Sequence, residues 1–286
     1  MSLSNLHGRV LEFCIVKEFE RVFNKKIILS KKTIQDNIRD KQKLKEISIN
    51  KLIHFKRSSV KIVKWLINHI GKFDTSLKLE RLSDEEGKKG DVTDIRLTYD
   101  EKTLNISLKN NHLATKHQRP GPTPKHIGLT NDSDDTKHFK EQYRRINSDF
   151  FNFVKSKNQN FEKYNEVEKY KFKHLYKPVC NLVSGLLNKH NYRSKDYLMF
   201  LIGKVFFKKI VLFNNHFEIT SFDKIPVTKK MKSWVENKNY VLIEFNEDIT
   251  LSMRLHTASS RLTERGSLKF DTQILKMNLK KKTINI

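Results

Sequence analysis

The sequence predicts an α/β (α+β) protein in which helices flank one mixed β-sheet, and three observations indicate this class. The first 70 residues carry apolar side chains at helical spacing. Residues 205–286 are instead rich in β-branched and aromatic runs separated by turns. The chain has no internal repeat and no low-complexity block. At 286 residues it is long enough to bury a large core, and we expect a single domain over residues 1–286.

The first elements are predicted to be helices. From Gly8 to Phe23 the apolar residues fit one broad helix face, and residues 33–70 predict further helix that ends before Gly71. The segment LSDEEGKKGD, residues 82–91, predicts a charged loop. Residues 90–111 then predict a β-hairpin that turns through YDEK.

The second half begins with a predicted loop. Residues 112–134 hold three of the five prolines and show little periodicity, which is typical of a long functional loop. Helices are predicted at 135–157 and 166–190, and DYLMFLIGKVFF, residues 196–207, predicts a buried helix or strand. The β-rich part, residues 205–286, completes the chain.

The charge balance favours a polyanionic partner. The chain has 57 Lys and Arg against 32 Asp and Glu, a formal net charge of +25. Nucleic acid is the first expectation, with an acidic membrane surface as the alternative. No apolar run approaches the roughly 20 residues of a membrane span, and no signal peptide is evident, so we expect a cytoplasmic protein. With only Cys14 and Cys180, cysteine zinc sites and a disulfide framework are excluded, and any metal is expected to have oxygen ligands.

One face of the predicted hairpin carries the chemistry. Antiparallel pairing about Asp100 and Glu101 places Asp94 opposite Ser107, with Lys109 two residues on. This layout suits metal-assisted phosphodiester hydrolysis, because Asp94 and a backbone carbonyl near position 108 can hold a hard cation while Lys109 orients the attacking water. The alternative is the solvated face of an edge hairpin.

A Mg²⁺ site needs more than one carboxylate. Glu12 is the candidate, because its neighbours three, four and seven residues on are apolar, and a carboxylate facing a core is costly unless it is paired or binds a metal. The alternative is a helix-edge Glu paired with a Lys. Asp91 competes with Asp94, and is explained either by the start of the strand beside Gly90 or as a second ligand. We rank Asp94 first.

The hairpin resembles the PD-(D/E)xK nuclease core, in which an acid and an (Asp or Glu)-x-Lys tripeptide lie on adjacent strands. The tripeptide SLK departs from it, because Ser107 stands where the second acid belongs. More specifically, four segments resemble blocks of the HaeIII-type restriction endonucleases: GRVLEFCIVKEF, GDVTDI, ISLKNNHLATKHQRPG and RLHTASSRLTERGSLKFD. The resemblance covers most of the chain, with residues 170–240 unanchored.

The resemblance implies a Mg²⁺-dependent type II restriction endonuclease that cuts double-stranded DNA at a short palindrome, and GGCC is the site associated with the family's namesake. It assigns the acidic strand role to Asp94, the lysine role to Lys109 and the helix-borne acid to Glu12, with Ser107 beside them. A palindromic target favours a homodimer, and a monomer that cuts the strands in turn is the alternative. A cognate DNA methyltransferase is expected as a separate protein of the same restriction–modification system.

DNA contacts are expected in two places. The segment after Lys109 is dense in groups that bind phosphates or base edges, namely Asn110, Asn111, His112, Lys116, His117, Gln118 and Arg119. Arg119 is the first candidate for base readout, because Arg pairs bidentately with guanine; Lys116 and His117 are assigned to phosphates. A second cluster near the C-terminus comprises Arg254, His256, Ser259, Ser260 and Arg261. The alternatives are a solvated basic loop for the first and a capped turn for the second.

Two other functions compete with this interpretation. His112 permits a His-metal nuclease, but the further ligands at helix spacing are not evident. The stronger rival is a non-catalytic basic DNA- or RNA-binding protein, which Ser107 in place of the expected acid favours.

Overall fold

The computed structural model describes residues 3–73, 76–82, 91–224 and 226–286. The chain forms two compact units: unit 1 comprises Met1–Leu113, Lys204–Ile225 and Leu279–Ile286, and unit 2 comprises Ala114–Gly203 and Pro226–Asn278. The single domain expected over residues 1–286 stays a prediction, because compact units of one chain need not fold independently. The predicted charged loop at 82–91 lies almost wholly outside the described residues.

The helices and strands are named in chain order. The helices are α1 (Leu3–Phe23), α2 (Lys31–Gln42), α3 (Ile49–Ile70), α4 (Thr123–His126), α5 (Asp134–Lys157), α6 (Glu168–Lys171), α7 (Lys177–Lys189) and α8 (Ser194–Ile202). The strands are β1 (Ile27–Leu29), β2 (Leu77–Arg81), β3 (Ile95–Tyr99), β4 (Lys102–Asn110), β5 (Lys116–Gln118), β6 (Phe207–Leu212), β7 (His216–Phe222), β8 (Met231–Glu236), β9 (Tyr240–Phe245), β10 (Ile249–Thr257), β11 (Leu268–Lys276) and β12 (Lys280–Asn285). Short 3-10 turns lie at Asn24–Lys26, Lys43–Glu46, Tyr164–Val167 and Asn191–Arg193.

The long helical stretch predicted at 33–70 is two helices, because a serine caps each of them. The Ser30 hydroxyl accepts the backbone N–H of Thr33 at 3.2 Å, and the Ser48 hydroxyl accepts that of Lys51 at 3.4 Å. Each cap satisfies an N–H that the first helical turn leaves without a partner. Helix α3 ends at Ile70, before Gly71 as the sequence predicts, and the φ of +76° at Gly71 suits glycine.

Unit 1 is built on a seven-stranded mixed sheet of order β1-β2-β3-β4-β6-β7-β12, in which β1/β2 and β4/β6 are parallel. The central hairpin has the predicted register, with Ile95 opposite Ile106, and its turn residues Asp100 and Glu101 have φ of +42° and +60°. Its apolar side chains join those of α1 and α3 in the core of the unit. The predicted fold class, a mixed sheet flanked by helices, is confirmed.

Unit 2 is built on a five-stranded antiparallel sheet of order β5-β11-β10-β9-β8. Helix α7 packs against β8 and β9, and α5 packs against α7. Two polar links tie α7 to the sheet: the hydroxyls of Ser184 and Ser233 lie 2.8 Å apart, and the Asn188 side chain exchanges two 2.8 Å hydrogen bonds with the backbone of Ser233.

Three predicted elements differ from the structure. The loop expected over 112–134 contains β5, which pairs with β11, and the single-turn α4. The helix expected over 166–190 is interrupted by a π-helical turn at Phe172–Tyr176. The segment 196–207 is both a helix and a strand, because α8 ends at Ile202, just before Gly203, and β6 begins at Phe207. Among the described residues, no helix combines the length and apolar character that crossing a membrane requires.

Candidate active site

The hairpin of unit 1 brings the predicted acid and amine together. The Asp94 N–H donates to the Ile106 carbonyl at 2.8 Å just before β3 begins, and the Ser107 hydroxyl donates to Asp94 Oδ2, so Asp94 lies beside Ser107. The Lys109 ammonium nitrogen lies 3.3 Å from Asp94 Oδ2. Acid and amine therefore project to the same side of the hairpin, and each side chain is about one-quarter exposed, at 26% and 24%.

Three donors hold the Asp94 carboxylate. Its Oδ2 accepts from the Leu108 N–H at 2.6 Å, the Ser107 hydroxyl at 3.2 Å and the Lys109 ammonium at 3.3 Å. The regular pairing of β3 with β4 starts only at Ile95, so the carboxylate occupies the place where the next backbone partner of Leu108 would lie. The Leu108 carbonyl leaves the strand on the same edge as its N–H. Because its hydroxyl donates to Oδ2, Ser107 helps to position the Asp94 carboxylate.

Helix α1 supplies the second carboxylate. Glu12 Oε2 accepts from Arg81 Nη2 at 2.7 Å and from Nε at 3.2 Å, and the Glu12 side chain is 21% exposed. Burial raises the pKa of Glu12; the Arg81 charge opposes this rise, and the negative charge of Asp94 adds to it. The two carboxylates therefore lie within electrostatic reach of each other.

Arg81, the last residue of β2, is a site residue that the sequence reasoning missed. Its guanidinium, only 2% exposed, also donates to Asp40 Oδ2 at 2.8 Å and to Asn37 Oδ1 at 3.2 Å, both on α2. Burial alone raises the pKa of Asp40, yet hydrogen bonds from its cationic neighbours hold that pKa well below its usual range. The alternation of strand residues could have revealed that Arg81 is buried, because Leu77 and Leu79 precede it on the same buried face of β2.

Lys209 on β6 is a second missed residue. The parallel pairing of β4 with β6 places it directly opposite Ser107, and it is 7% exposed. Its ammonium donates to the Leu113 carbonyl, in the segment that leaves the hairpin. Burial lowers the pKa of Lys209 to about 7, and the charges of Lys109 and Lys281 act in the same direction. Two amines therefore flank the serine that replaces the expected acid.

Asp91 belongs to the start of the strand rather than to the acid pair. Its Oδ1 accepts the Thr93 N–H at 3.0 Å and its Oδ2 accepts from Arg96 Nη2 at 2.5 Å. Both oxygens are thus used in a local turn. Of the two explanations offered by the sequence, this geometry favours the structural one, and we remove Asp91 from the metal-ligand set.

The first predicted DNA segment is split between the two units. In unit 1, Asn110 and His112 are half-buried, and Asn111 is exposed with φ of +52° and donates its N–H to the Leu212 carbonyl at 2.8 Å. In unit 2, His117 and Arg119 are exposed.

Two members of that segment lie in the interior of unit 2. The Lys116 ammonium lies 3.9 Å from the centre of the Phe200 ring, and Lys116 is 8% exposed. Gln118, 6% exposed, accepts from the Thr272 hydroxyl and donates to the Met253 sulfur, each at 3.0 Å. Strand alternation buries both side chains, and we remove them from the DNA-contact set.

The C-terminal cluster lies at the end of β10. Arg254 Nη2 is 3.5 Å from Asp271 Oδ2, and the Ser259 hydroxyl accepts the Arg261 N–H at 3.2 Å. The Ser260 carbonyl accepts the Tyr164 N–H at 2.8 Å. The capped turn that the sequence offered as an alternative is therefore present, while the side chains of Arg254, Ser259, Ser260 and Arg261 stay exposed.

The acid pair of unit 1 fits a hard divalent cation. Among the described residues, none donates a hydrogen bond to Asp94 Oδ1 or to Glu12 Oε1, so each carboxylate keeps one oxygen for a ligand. Mg²⁺ prefers such oxygen ligands. A cation would also relieve the repulsion by which Asp94 raises the pKa of Glu12.

A mixed sheet flanked by helices, with an acid and a lysine on neighbouring strands and a second acid on the first helix, defines a restriction-endonuclease-like protein. The HaeIII restriction endonuclease family matches residues 8–231, and the chain belongs to this family. The resemblance to this family is thereby confirmed, although the block at residues 254–271 lies beyond the matched range; the protein is a restriction endonuclease, a nuclease of the hydrolase class. No individual curated protein and no solved structure matches the chain.

Proposed function

We propose that the protein is a type II restriction endonuclease that hydrolyses phosphodiester bonds in double-stranded DNA with Mg²⁺. The observation that carries this proposal is the 3.3 Å approach of Lys109 to Asp94, with Glu12 in electrostatic reach. Membership of the family supports a nuclease, and the net charge of +25 supports a polyanionic substrate.

Each residue of the site has a distinct role. Asp94 and Glu12 would hold Mg²⁺, which when bound supplies positive charge against the phosphate and its departing oxygen. Lys109 donates a hydrogen bond to the attacking water, and its distance from Asp94 sets where that water lies. Ser107 and the Leu108 N–H hold the Asp94 carboxylate in place before substrate arrives.

The serine of SLK leaves this site one acid short of the PD-(D/E)xK pattern. We infer that Glu12 takes the place of that acid from α1. Its orientation depends on Arg81, which engages one carboxylate oxygen through two hydrogen bonds and is itself anchored on α2. A half-buried carboxylate held by a buried arginine can retain its charge where an unpaired one would not.

Recognition of a short palindrome is proposed on the family's pattern, with GGCC as the first sequence to test. The proposed contacts are the accessible members of the two predicted segments, namely Asn110, Asn111, His112, His117, Arg119, Arg254, Ser259, Ser260 and Arg261. Two-fold symmetry in the target favours a homodimer. A separate DNA methyltransferase of matching specificity would protect the host DNA.

Plasmid digestion tests the activity and the site together. With Mg²⁺ the unchanged protein is expected to yield discrete fragments, and sequencing their ends gives the recognition sequence and the cut position. Lys109→Met is expected to slow cleavage by about 10²–10⁴-fold, the usual contribution of a positioned proton donor or acceptor. Lys102→Met, an exposed lysine at the turn of the same hairpin, is the control and should cut at full rate. Cleavage by Lys109→Met at the control's rate would refute the site assignment.

A non-catalytic DNA- or RNA-binding protein is the second candidate, favoured by Ser107 alone. Tight binding to DNA with no cleavage in any divalent cation would select it. Family membership weighs against it.

A further inference from the structure

Unit 2 contains a basic groove outside the acid–lysine site. Its cavity has a volume of about 960 Å³ and lies between α5, the segment at 121–125 that leads into α4, and the turn at 263–266. Among the residues that the structure describes, four cationic side chains line it, namely Lys125, Lys140, Arg144 and Arg265, against one acid, Glu264. Three separate elements thus direct positive charge to one concave surface.

The charge of this groove is not compensated within the described residues. Lys125, Arg144 and Arg265 form no ion pair there, and the Lys140 ammonium donates to a neutral amide oxygen, Asn131 Oδ1, at 3.1 Å. Glu264 accepts from the Ser148 hydroxyl at 3.1 Å. The next arginine along α5 behaves differently: Arg145 lies 3.7 Å from Asp149 and does not line the groove. The groove therefore suits a ligand with several negative charges.

The walls of the groove are held firmly. Gly266 has φ of +66°, and a Cβ atom there would come within 1.8 Å of Asn147 Oδ1, so the 263–266 turn lies directly on α5. The Asn147 amide is itself fixed, because it donates to the Tyr143 carbonyl at 2.7 Å. Across the groove, the Thr123 hydroxyl donates to the Pro120 carbonyl at 2.6 Å. A prearranged set of cations loses little entropy when it binds an anion.

Arg119 does not line the groove but lies within electrostatic reach of it. Burial raises the pKa of Tyr143, which lines the groove, to about 12, and the charge of Arg119 opposes that rise. Arg119 is exposed and directly precedes the 120–124 wall. Among the residues near this groove, Arg119 is also the first candidate for base readout.

We propose that this groove binds the sugar–phosphate backbone of the DNA substrate, with Arg144 and Arg265 on phosphate oxygens; DNA is the substrate only through the proposed function, on which this assignment rests. Arginine suits the task because its planar fork of donors matches a phosphate. Each phosphate contact releases counterions and makes affinity fall with salt, independently of base sequence.

The test measures how DNA affinity depends on salt for Arg144→Gln, Arg265→Gln and the double variant. Fluorescence anisotropy of a labelled DNA duplex, without divalent cation so that no cleavage occurs, gives the slope of log K against log salt between about 50 and 200 mM. Each single variant is expected to reduce the slope by about 0.9 and the double variant by about 1.8. Arg145→Gln, one residue along the same helix, should keep the unchanged slope.

Cleavage kinetics supply a second readout. Because the groove is assigned to uniform binding rather than to the reacting phosphate, the double variant should raise KM with kcat retained. If the double variant has the same salt slope and DNA affinity as Arg145→Gln, the assignment of the groove to the DNA backbone is overturned and the proposed nuclease function is left intact. No DNA binding by the unchanged protein at any salt concentration would overturn both proposals together.

Discussion

Replacing Lys209 by methionine is expected to stabilise the protein, and by an amount that depends on pH. The Lys209 ammonium is buried beside Lys109, so its pKa falls from 10.5 to about 7 in the folded chain. Between these two values the unfolded chain binds more protons than the folded chain does. The charge penalty is therefore fully present below about pH 7 and disappears as pH rises towards 10.5.

The size of the effect follows from the same two values. A difference of one pKa unit corresponds to about 1.4 kcal/mol. Burying the charged Lys209 therefore lowers the free energy of unfolding by about 5 kcal/mol in acid, about 4 kcal/mol at pH 7 and about 2 kcal/mol at pH 9. Methionine also gives up the hydrogen bond to the Leu113 carbonyl, which offsets about 1 kcal/mol of the gain. The expected net gain is about 3 kcal/mol at pH 7 and about 1 kcal/mol at pH 9.

Urea denaturation at pH 7 and at pH 9, monitored by far-UV circular dichroism, measures the gain in the free energy of unfolding. Lys208→Met is the matched control. Lys208 is adjacent and also 7% exposed, but its ammonium lies 2.6 Å from an Asp223 oxygen, so its replacement should destabilise the protein. A gain for Lys209→Met that is equal at pH 7 and pH 9, or a loss at both, would refute the reasoning.

Two further substitutions test the orientation of Glu12 by Arg81 in unit 1 and the contact between Gly266 and Asn147 in unit 2. Arg81→Lys should raise the Mg²⁺ concentration for half-maximal cleavage by about 10–100-fold, because a single ammonium cannot reproduce the two hydrogen bonds that orient Glu12. A shift of the same size in Arg39→Lys, whose partners are on α2, would contradict that role. Gly266→Ala should lower the free energy of unfolding by at least about 1–2 kcal/mol, because its φ of +66° and the 1.8 Å approach to Asn147 both disfavour a Cβ atom. Urea titration should show partial recovery when Asn147→Ala is added, and an undiminished stability of Gly266→Ala alone would contradict the close approach.

The hairpin shows which contacts the local sequence pattern can predict. Its register follows from alternation on two strands joined by a two-residue turn, so the proximity of Asp94 to Ser107 was predictable from a segment of about twenty residues. The helical pattern likewise indicated that Glu12 faces inward, because the neighbours that reveal a helix face lie within two turns.

Residues far apart in sequence were less predictable. Arg81 reaches Glu12 across 69 positions, and Lys209 meets Ser107 through a parallel pairing of strands between which the first segment of unit 2, Ala114–Gly203, intervenes. No short-range periodicity encodes such pairings, since parallel strands need long crossover connections. The same limitation explains why Lys116, a basic residue in a proline-rich stretch, lies in the interior once β5 joins the sheet of unit 2.

The amino-acid sequence by itself determined the class of the fold, the basic charge and the acid–lysine pair of the hairpin, because these depend on composition and on contacts between near neighbours. Only the tertiary structure decided that Arg81 orients the helix-borne acid, that a buried amine flanks the serine of SLK, and that four cations line one groove. These arrangements arise when elements distant in the chain pack together, and the free energy of that packing is shared over many residues.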